Sequence, residues 1–344
     1  DEIRYVGIEI GAGGIVPRKP VQVVAQGFGD CKDKSVLLRT MLGMLGIEAH
    51  VALTDLEEGH ALALQQPGLS VMDHMIVKAR IGGKVYWMDP TGSHEAGRLD
   101  HAAVPDYGYA LPLASGVTTL EPIPVPAELG WNTESTEDFD FGTKGDGAAG
   151  VSLTVTSVFR GAAANAQRYR FATEPADGIG RNLMSYYSTR YPGIEQAAPV
   201  AISDDAVLNL LTTVEHYLLP FPAMQDNDLW QNFVVASEDF GGYFPQNLPA
   251  RRETPLTVGL PKMHHHTILI RNAPVPFLPP ERIDVRNEAF AYSLTARADR
   301  AGDLRLDWDF RTLARVIAAD RVAVVIRDAR KVSDSTSLTW DILR

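Results

Sequence analysis

The chain has 344 residues, 32 Lys and Arg against 43 Asp and Glu, a formal net charge of −11 and one cysteine. At about 150 residues per domain the length suggests two or three domains, and 45% hydrophobic with 22% charged residues is a globular composition with enough apolar material for a core. The acidic balance argues against a protein built mainly to bind nucleic acid; the lone cysteine excludes an internal disulfide framework and an all-cysteine metal site; and there is no run of about 18 apolar residues to span a bilayer.

In chain order, residues 3–10 (IRYVGIEI) read as an apolar strand ended by Gly11, Gly13 and Gly14. The chain opens at Asp1 without a methionine, so it reads as processed or truncated, and the lack of a visible signal peptide leaves location open. GAGG at 11–14 is no dinucleotide fingerprint, since it lacks the GxGxxG spacing and Pro17 interrupts any helix behind it. Asp30 can cap a helix, with Asp33 in its first turn; Val36, Leu37, Met41, Leu42, Met44 and Leu45 form its apolar face, and Gly46 ends it. Ile47, Ala49, Val51 and Leu53 then alternate as a half-buried strand. DHMIVKARIGGKVYWMDP reads as two strands around a Gly82-Gly83 turn. EPIPVP at 121–126 reads as a linker, and 132–150 as an acidic, Gly-rich stretch with Glu134–Asp140 on a solvated loop. Beyond it, 151–159, 206–218, 266–271, 288–298 and 303–310 are strand-like, with helices near 177–190 and 319–332. The Pro-punctuated 250–280 region could divide the later part into two units. The fold class is therefore α+β: a mixed region over 1–125 and a β-rich, sandwich-like region over 126–344.

The residues with chemistry cluster in the first region. Cys31 stands at a helix start, where unpaired N–H groups and the dipole favour a thiolate. Lys32 and Lys34 act in the same sense, and Asp30 and Asp33 oppose them. A two-residue turn at Gly82-Gly83 pairs Ile81 with Lys84, and that register puts His74 and Asp89 on one face, within reach of a hydrogen bond. A slip of one residue would separate them. A carboxylate on one imidazole nitrogen leaves the other free for a thiol, which is the nucleophile–base–orienter arrangement. Trp87 lies on the same face and could wall a site. His264, His265 and His266 are read as an exposed strand start, and neither they nor His50, His60, His94 and His101 make a convincing metal site.

GDCKDKSVLLRTMLGMLGIEAHVAL and DHMIVKARIGGKVYWMDPT resemble the Cys helix, His strand and Asp strand of the transglutaminase-like superfamily. The chain is similar to large bacterial multidomain members in which such a core sits between β-rich domains of unknown function. The resemblance is strong over 3–92 and weaker over 280–335. It implies a papain-like core, a helix packed on an antiparallel sheet, lacking part of its N-terminal side. It implies acyl transfer through a thioester on a peptide or protein substrate, with Cys31 as nucleophile, His74 as base and Asp89 as orienting carboxylate. Hydrolysis is favoured over amine cross-linking, because water is always available while an amine needs a dedicated site. The superfamily takes an oxyanion donor from upstream of the cysteine; the Cys31 N–H and the Gln26 side chain are the candidates. No cofactor and no metal are expected, nor a nucleic-acid partner or membrane insertion. A bacterial envelope or periplasmic location is implied by the resemblance alone. The competing reading is a non-catalytic scaffold or binding protein that uses the β-rich region for a protein or glycan partner, with a vestigial core.

Overall fold

A computed structural model describes residues 2–7, 14–126, 131–142, 150–220, 233–245, 252–258, 262–272, 282–298 and 303–340. The chain is α+β, 23% helical and 41% strand, and divides into two compact units, Asp1–Gly130 and Trp131–Arg344. GAGG falls largely outside the described residues, as does the second half of the strand expected at 3–10.

The first unit runs β1 (Arg4–Tyr5), α1 (Pro20–Gln26), β2 (Phe28–Gly29), α2 (Cys31–Met44), β3 (Glu48–Thr54), β4 (His74–Ile81), β5 (Lys84–Met88), β6 (Tyr109–Pro112) and β7 (Glu121–Pro122). Strands β5-β4-β3-β6-β7 form one sheet, all of its pairs antiparallel. Gly82 and Gly83 both have positive φ, 57° and 82°. A two-residue hairpin turn whose twist matches the strands needs that left-handed pair, and Ile81 pairs with Lys84 as it dictates. Alternation then sorts the side chains. Ala49, Val77 and Ala79 pack with Leu38 and Leu42 of α2 on one face; Ala52, Ile76, Trp87, Ala110 and Ile123 pack on the other. Helix α2 buries Leu37 but leaves Met41, Met44 and Leu45 exposed. The expected apolar face is thus partly displaced, because the helix turns its Ser35–Leu38–Leu42 side to the sheet.

The second unit contains β8 (Trp131–Asp140), β9 (Gly150–Gly161), α3 (Ala162–Thr173), α4 (Ala176–Ser188), β10 (Glu195–Asp205), β11 (Leu210–Pro220), β12 (Phe233–Ala236), β13 (Leu256–Thr257), β14 (Lys262–Arg271), β15 (Ile283–Arg286), β16 (Phe290–Ala298), β17 (Leu304–Thr312), β18 (Val316–Ile317), α5 (Val322–Ser333) and β19 (Ser337–Trp340). Eight strands form one sheet in the order β10-β11-β9-β8-β14-β17-β16-β15. Only the β8–β14 pair in it is parallel.

Three expectations change here. The unit is one eight-stranded sheet beside two two-stranded ones, β12-β19 and β13-β18, not a sandwich of two large sheets: Tyr187 of α4, Val325, Ile326 and Ala329 of α5 and the aromatic turn at Phe240 cover its inner face together with Phe233 and Val235 of β12. The 250–280 region does not divide it, since β14 lies between β8 and β17 at the middle of the sheet. And 131–140 is an inner strand instead of a solvated loop. Its Thr133, Glu137 and Phe139 point inward and are buried, while the outward acids are held by partners, Glu134 by Arg160 at 2.7 Å and Asp138 by Arg271.

Candidate active site

Helix α2 begins at Cys31 because Asp30 caps it. The Asp30 carboxylate accepts from the Asp33 N–H at 3.1 Å, and the Asp33 carboxylate accepts from the Asp30 N–H at 3.3 Å, a reciprocal box. These acids, one and two residues from Cys31, would oppose a thiolate there, but each is paired with a cation. Lys32 Nζ lies 2.6 Å from Asp30 Oδ2, both side chains buried. The Arg18 guanidinium lies 2.5 Å from Asp33 Oδ2, and the Arg18 N–H donates to Asp33 Oδ1 at 2.7 Å. The two ion pairs offset the charges of both acids, so neither works unopposed against the helix dipole at the thiol. Gly29 belongs to the same construction: a Cβ there would come within 2.7 Å of Asp33 Cβ.

Ser35, one turn after the cysteine, donates from Oγ to the Met75 carbonyl at 2.8 Å. This ties the start of α2 to the start of β4, where His74 is the first strand residue. His74 and Asp89 meet across the hairpin, Nε2 to Oδ2 at 2.9 Å. His74 is 4% exposed and Cys31 6%, so the pair sits out of bulk water. Burial alone would lower the His74 pKa. The hydrogen bonds to Asp89 and Cys31, and the charges of both, outweigh it and lift the imidazole to about 9.

Asp89 is fully engaged. Its Oδ2 also accepts from the Tyr107 hydroxyl at 2.6 Å. Its Oδ1 accepts from the Thr91 N–H at 2.8 Å and the Thr91 hydroxyl at 2.6 Å. Burial would raise its pKa, but the His74 bond and charge, followed by Thr91 and Tyr107, hold it below the usual carboxylate range. The Tyr107 ring meets the His74 ring edge-on, centroids 5.4 Å apart. The Tyr107 hydroxyl is pushed up by burial and by the Asp89 charge, so it remains a donor. A close backbone approach places Tyr107: a Cβ on Gly59 would meet the Tyr107 carbonyl at 2.0 Å, and His60 bonds Asp106 at 2.8 Å. Nearby, Glu95 is pushed up to about 7, first by burial and then by the Asp89 charge, with Lys34 acting in the other direction.

Of the residues singled out from sequence, His74 and Asp89 are hydrogen-bonded, and Cys31 lies near enough to His74 to act on its titration. Trp87 is buried in the sheet-face cluster against which Tyr107 packs, with Lys78 Nζ 5.7 Å from its ring centroid. Gln26 is half-buried and donates from Nε2 to the Phe28 carbonyl at 2.7 Å, which leaves its second N–H uncommitted by that bond. Tyr107, Thr91, Arg18 and Glu95 escaped the sequence reading. Thr91 could have been found, because it follows Asp89 by two residues, the spacing of a local side-chain-to-backbone turn. Among the described residues no group of three or more His, Cys, Asp or Glu is arranged to hold a metal ion.

No protein family matches the chain, and no curated protein matches it. Among solved structures it is similar to a putative protease from Parabacteroides distasonis ATCC 8503, at 12% identity and a TM-score of 0.49. The match covers 99% of this chain and 49% of that one, so this chain spans about half of that protein's length.

Proposed function

We propose that the first unit is a cysteine-dependent acyl-transfer enzyme with a papain- and transglutaminase-like core, acting on a peptide or amide bond. The observation that carries this reading is a buried imidazole bonded to Asp89 through Nε2, with the only thiol of the chain among the groups that raise its pKa. Asp89 occupies Nε2, which leaves Nδ1 for the thiol.

In this reading the thiol proton already resides on His74, and the Cys31 thiolate attacks the carbonyl carbon, forming a C–S bond. The oxygen that becomes negative is met by the Cys31 N–H, one of the donors at a helix start with no intrahelical acceptor; Gln26 is the candidate second donor. The C–N bond then breaks, and His74 returns its proton to the departing amine. Water, deprotonated by His74, attacks the thioester; the C–S bond breaks and the carboxylate leaves. Asp89 keeps the imidazole oriented and stabilises its charged form throughout. An amine in place of water would give cross-linking instead of hydrolysis, and hydrolysis is preferred because it needs no second binding site. A bacterial envelope location belongs to the same proposal.

The test is the rate of thiol alkylation against pH for wild type, His74→Ala and Asp89→Asn. The chain has one cysteine, so the signal belongs to Cys31. Wild type is expected to react well below about pH 8.5, the ordinary thiol value, and both variants to lose that advantage. Identical curves for the three proteins would overturn the reading in favour of a non-catalytic core. Single-turnover assays on peptides, with and without a primary amine, then separate hydrolysis from transfer.

A further inference from the structure

The outer face of the second unit's sheet carries a groove of about 470 Å³, lined in part by Asn132, Met263, Ala291, Ser293, Arg286 and Arg311. Sheet register sets its contents. One cross-strand row reads Asn132, Met263, Arg311, Ala291, Arg286. The next reads Glu134, His265, Asp309, Ser293, Asp284.

The charges in the two rows are not equivalent. Each acid of the second row already has a partner: Glu134 has Arg160 at 2.7 Å, Asp309 has His265 at 2.7 Å, and Asp284 has Arg282 at 2.6 Å. Arg311 and Arg286 of the first row are exposed, and among the described residues their guanidiniums have no partner. They stand on β17 and β15, separated by β16, hence about 10 Å apart at two strand spacings. Between them lies Ala291, with Ser293 beside it, so the floor there is low enough for a flat ring to rest on it. Two free cations in a chain of net charge −11 mark a place for an anion.

We propose that this groove binds an acidic oligosaccharide, a chain of uronic-acid-type sugars. Its carboxylates would reach Arg311 and Arg286, which can each hold a carboxylate through two N–H groups. Its hydroxyls would meet Asn132, Ser293 and the spare oxygen of Asp309, and its C–H faces would lie on Met263 and Ala291. An acidic peptide fits less well. A peptide bound in extended form gains most from free ladder groups at a sheet edge, and this groove reaches the edge only at β15, lying otherwise over β8, β14, β17 and β16, which are paired on both sides.

The experiment is calorimetric titration of the full chain with tetragalacturonate, with maltotetraose as the neutral sugar and tetraglutamate as a peptide of equal charge. Binding of tetragalacturonate alone is expected, weakening with added salt. Arg311→Gln and Arg286→Gln should each weaken it about tenfold, with an unchanged thermal midpoint because both side chains are exposed. Ser293→Trp should block the floor and abolish binding, and Cys31→Ala should leave it unaltered. The proposal fails if tetragalacturonate does not bind, if maltotetraose or tetraglutamate binds equally well, or if folded Arg311→Gln and Arg286→Gln proteins keep wild-type affinity.

Discussion

Both units bury histidine beside carboxylate, and they do so to opposite effect. In the first, the lone pairs of Asp89 are taken up by His74, Tyr107 and Thr91, and His74 is held charged with a pKa of about 9. In the second, His264 and His266 share the inner face of β14, rings 6.1 Å apart. His264 Nδ1 meets Glu238 at 2.8 Å, but His264 Nε2, His266 Nε2 and one oxygen of Glu137 are buried without a hydrogen bond, His266 Nε2 lying 3.4 Å from the other Glu137 oxygen. Burial there wins over Glu238, and the pKa of His264 falls below its ordinary value. The comparison teaches that a His–carboxylate contact has no fixed electrostatic outcome. The outcome follows from whether the partner charges outweigh burial of the ring: around His264 burial dominates, and the charges of His266 and Lys262 act with it.

The largest test of this contrast is His74→Ala. It should cost on the order of 10³-fold or more in acyl transfer, measured on whichever peptide the single-turnover screen identifies, whereas His264→Ala should leave the rate unchanged. Equal losses would erase the distinction between the two histidines. The pH dependence of stability comes next, and its signs are opposed. His74, raised in the folded state, contributes stability that is fully present below about pH 6.5 and lost as pH rises through about 9. His264, lowered in the folded state, binds its proton more readily when unfolded, so its unit weakens as pH falls below about 6.5, by at most about 1.4 kcal/mol per pH unit. Calorimetry at pH 5, 7 and 9.5 should show one transition retreating in alkali and the other in acid. Two transitions that move together would contradict it.

Tyr107→Phe sharpens the comparison by leaving one lone pair of Asp89 unsatisfied, whereas Glu238 keeps its own tyrosine donor, Tyr243. Loss of one hydrogen bond to a buried carboxylate should slow turnover roughly tenfold. The readout specific to positioning is the imidazole titration by NMR, which should move while the fold persists; an unmoved titration with reduced stability would make Tyr107 merely structural. The smallest effect is expected from Glu95→Gln. Glu95 titrates at about 7 beside Asp89, so the variant should lose an inflection near neutrality in the pH–rate profile and change the maximum by only about twofold. An inflection that survives the substitution would assign it to another group.

The parts of the site legible in the sequence are those fixed by short-range rules. Asp30 before Cys31 marks a helix start, and Gly82-Gly83 sets a register from which the meeting of His74 and Asp89 follows by counting. Arg18 and Tyr107 reach the site from 15 and 18 residues away through loops, where no periodicity reports direction. Strand β8 was illegible for a different reason. Its alternation hides behind acids whose neutralising arginines are distant in sequence, Arg271 lying 133 residues beyond Asp138. His264 and His266 looked like an exposed strand start because histidine carries no hydrophobic signal, yet β14 is an inner strand and its even positions face the core.

The glycine turn has a consequence for the order in which the protein assembles itself. His74 and Asp89 are joined by a hairpin of 15 residues' separation, and hairpins close in about 1–10 μs. Cys31 is 43 positions from His74, and reaching it requires α2 to dock through Ser35, a longer loop with a greater closure entropy. On a newly made chain His74 and Asp89 therefore pair first, and Cys31 joins them last. Under the proposed function, a half-folded chain in which α2 has not docked has its nucleophile apart from its base and carries no attack on its neighbours.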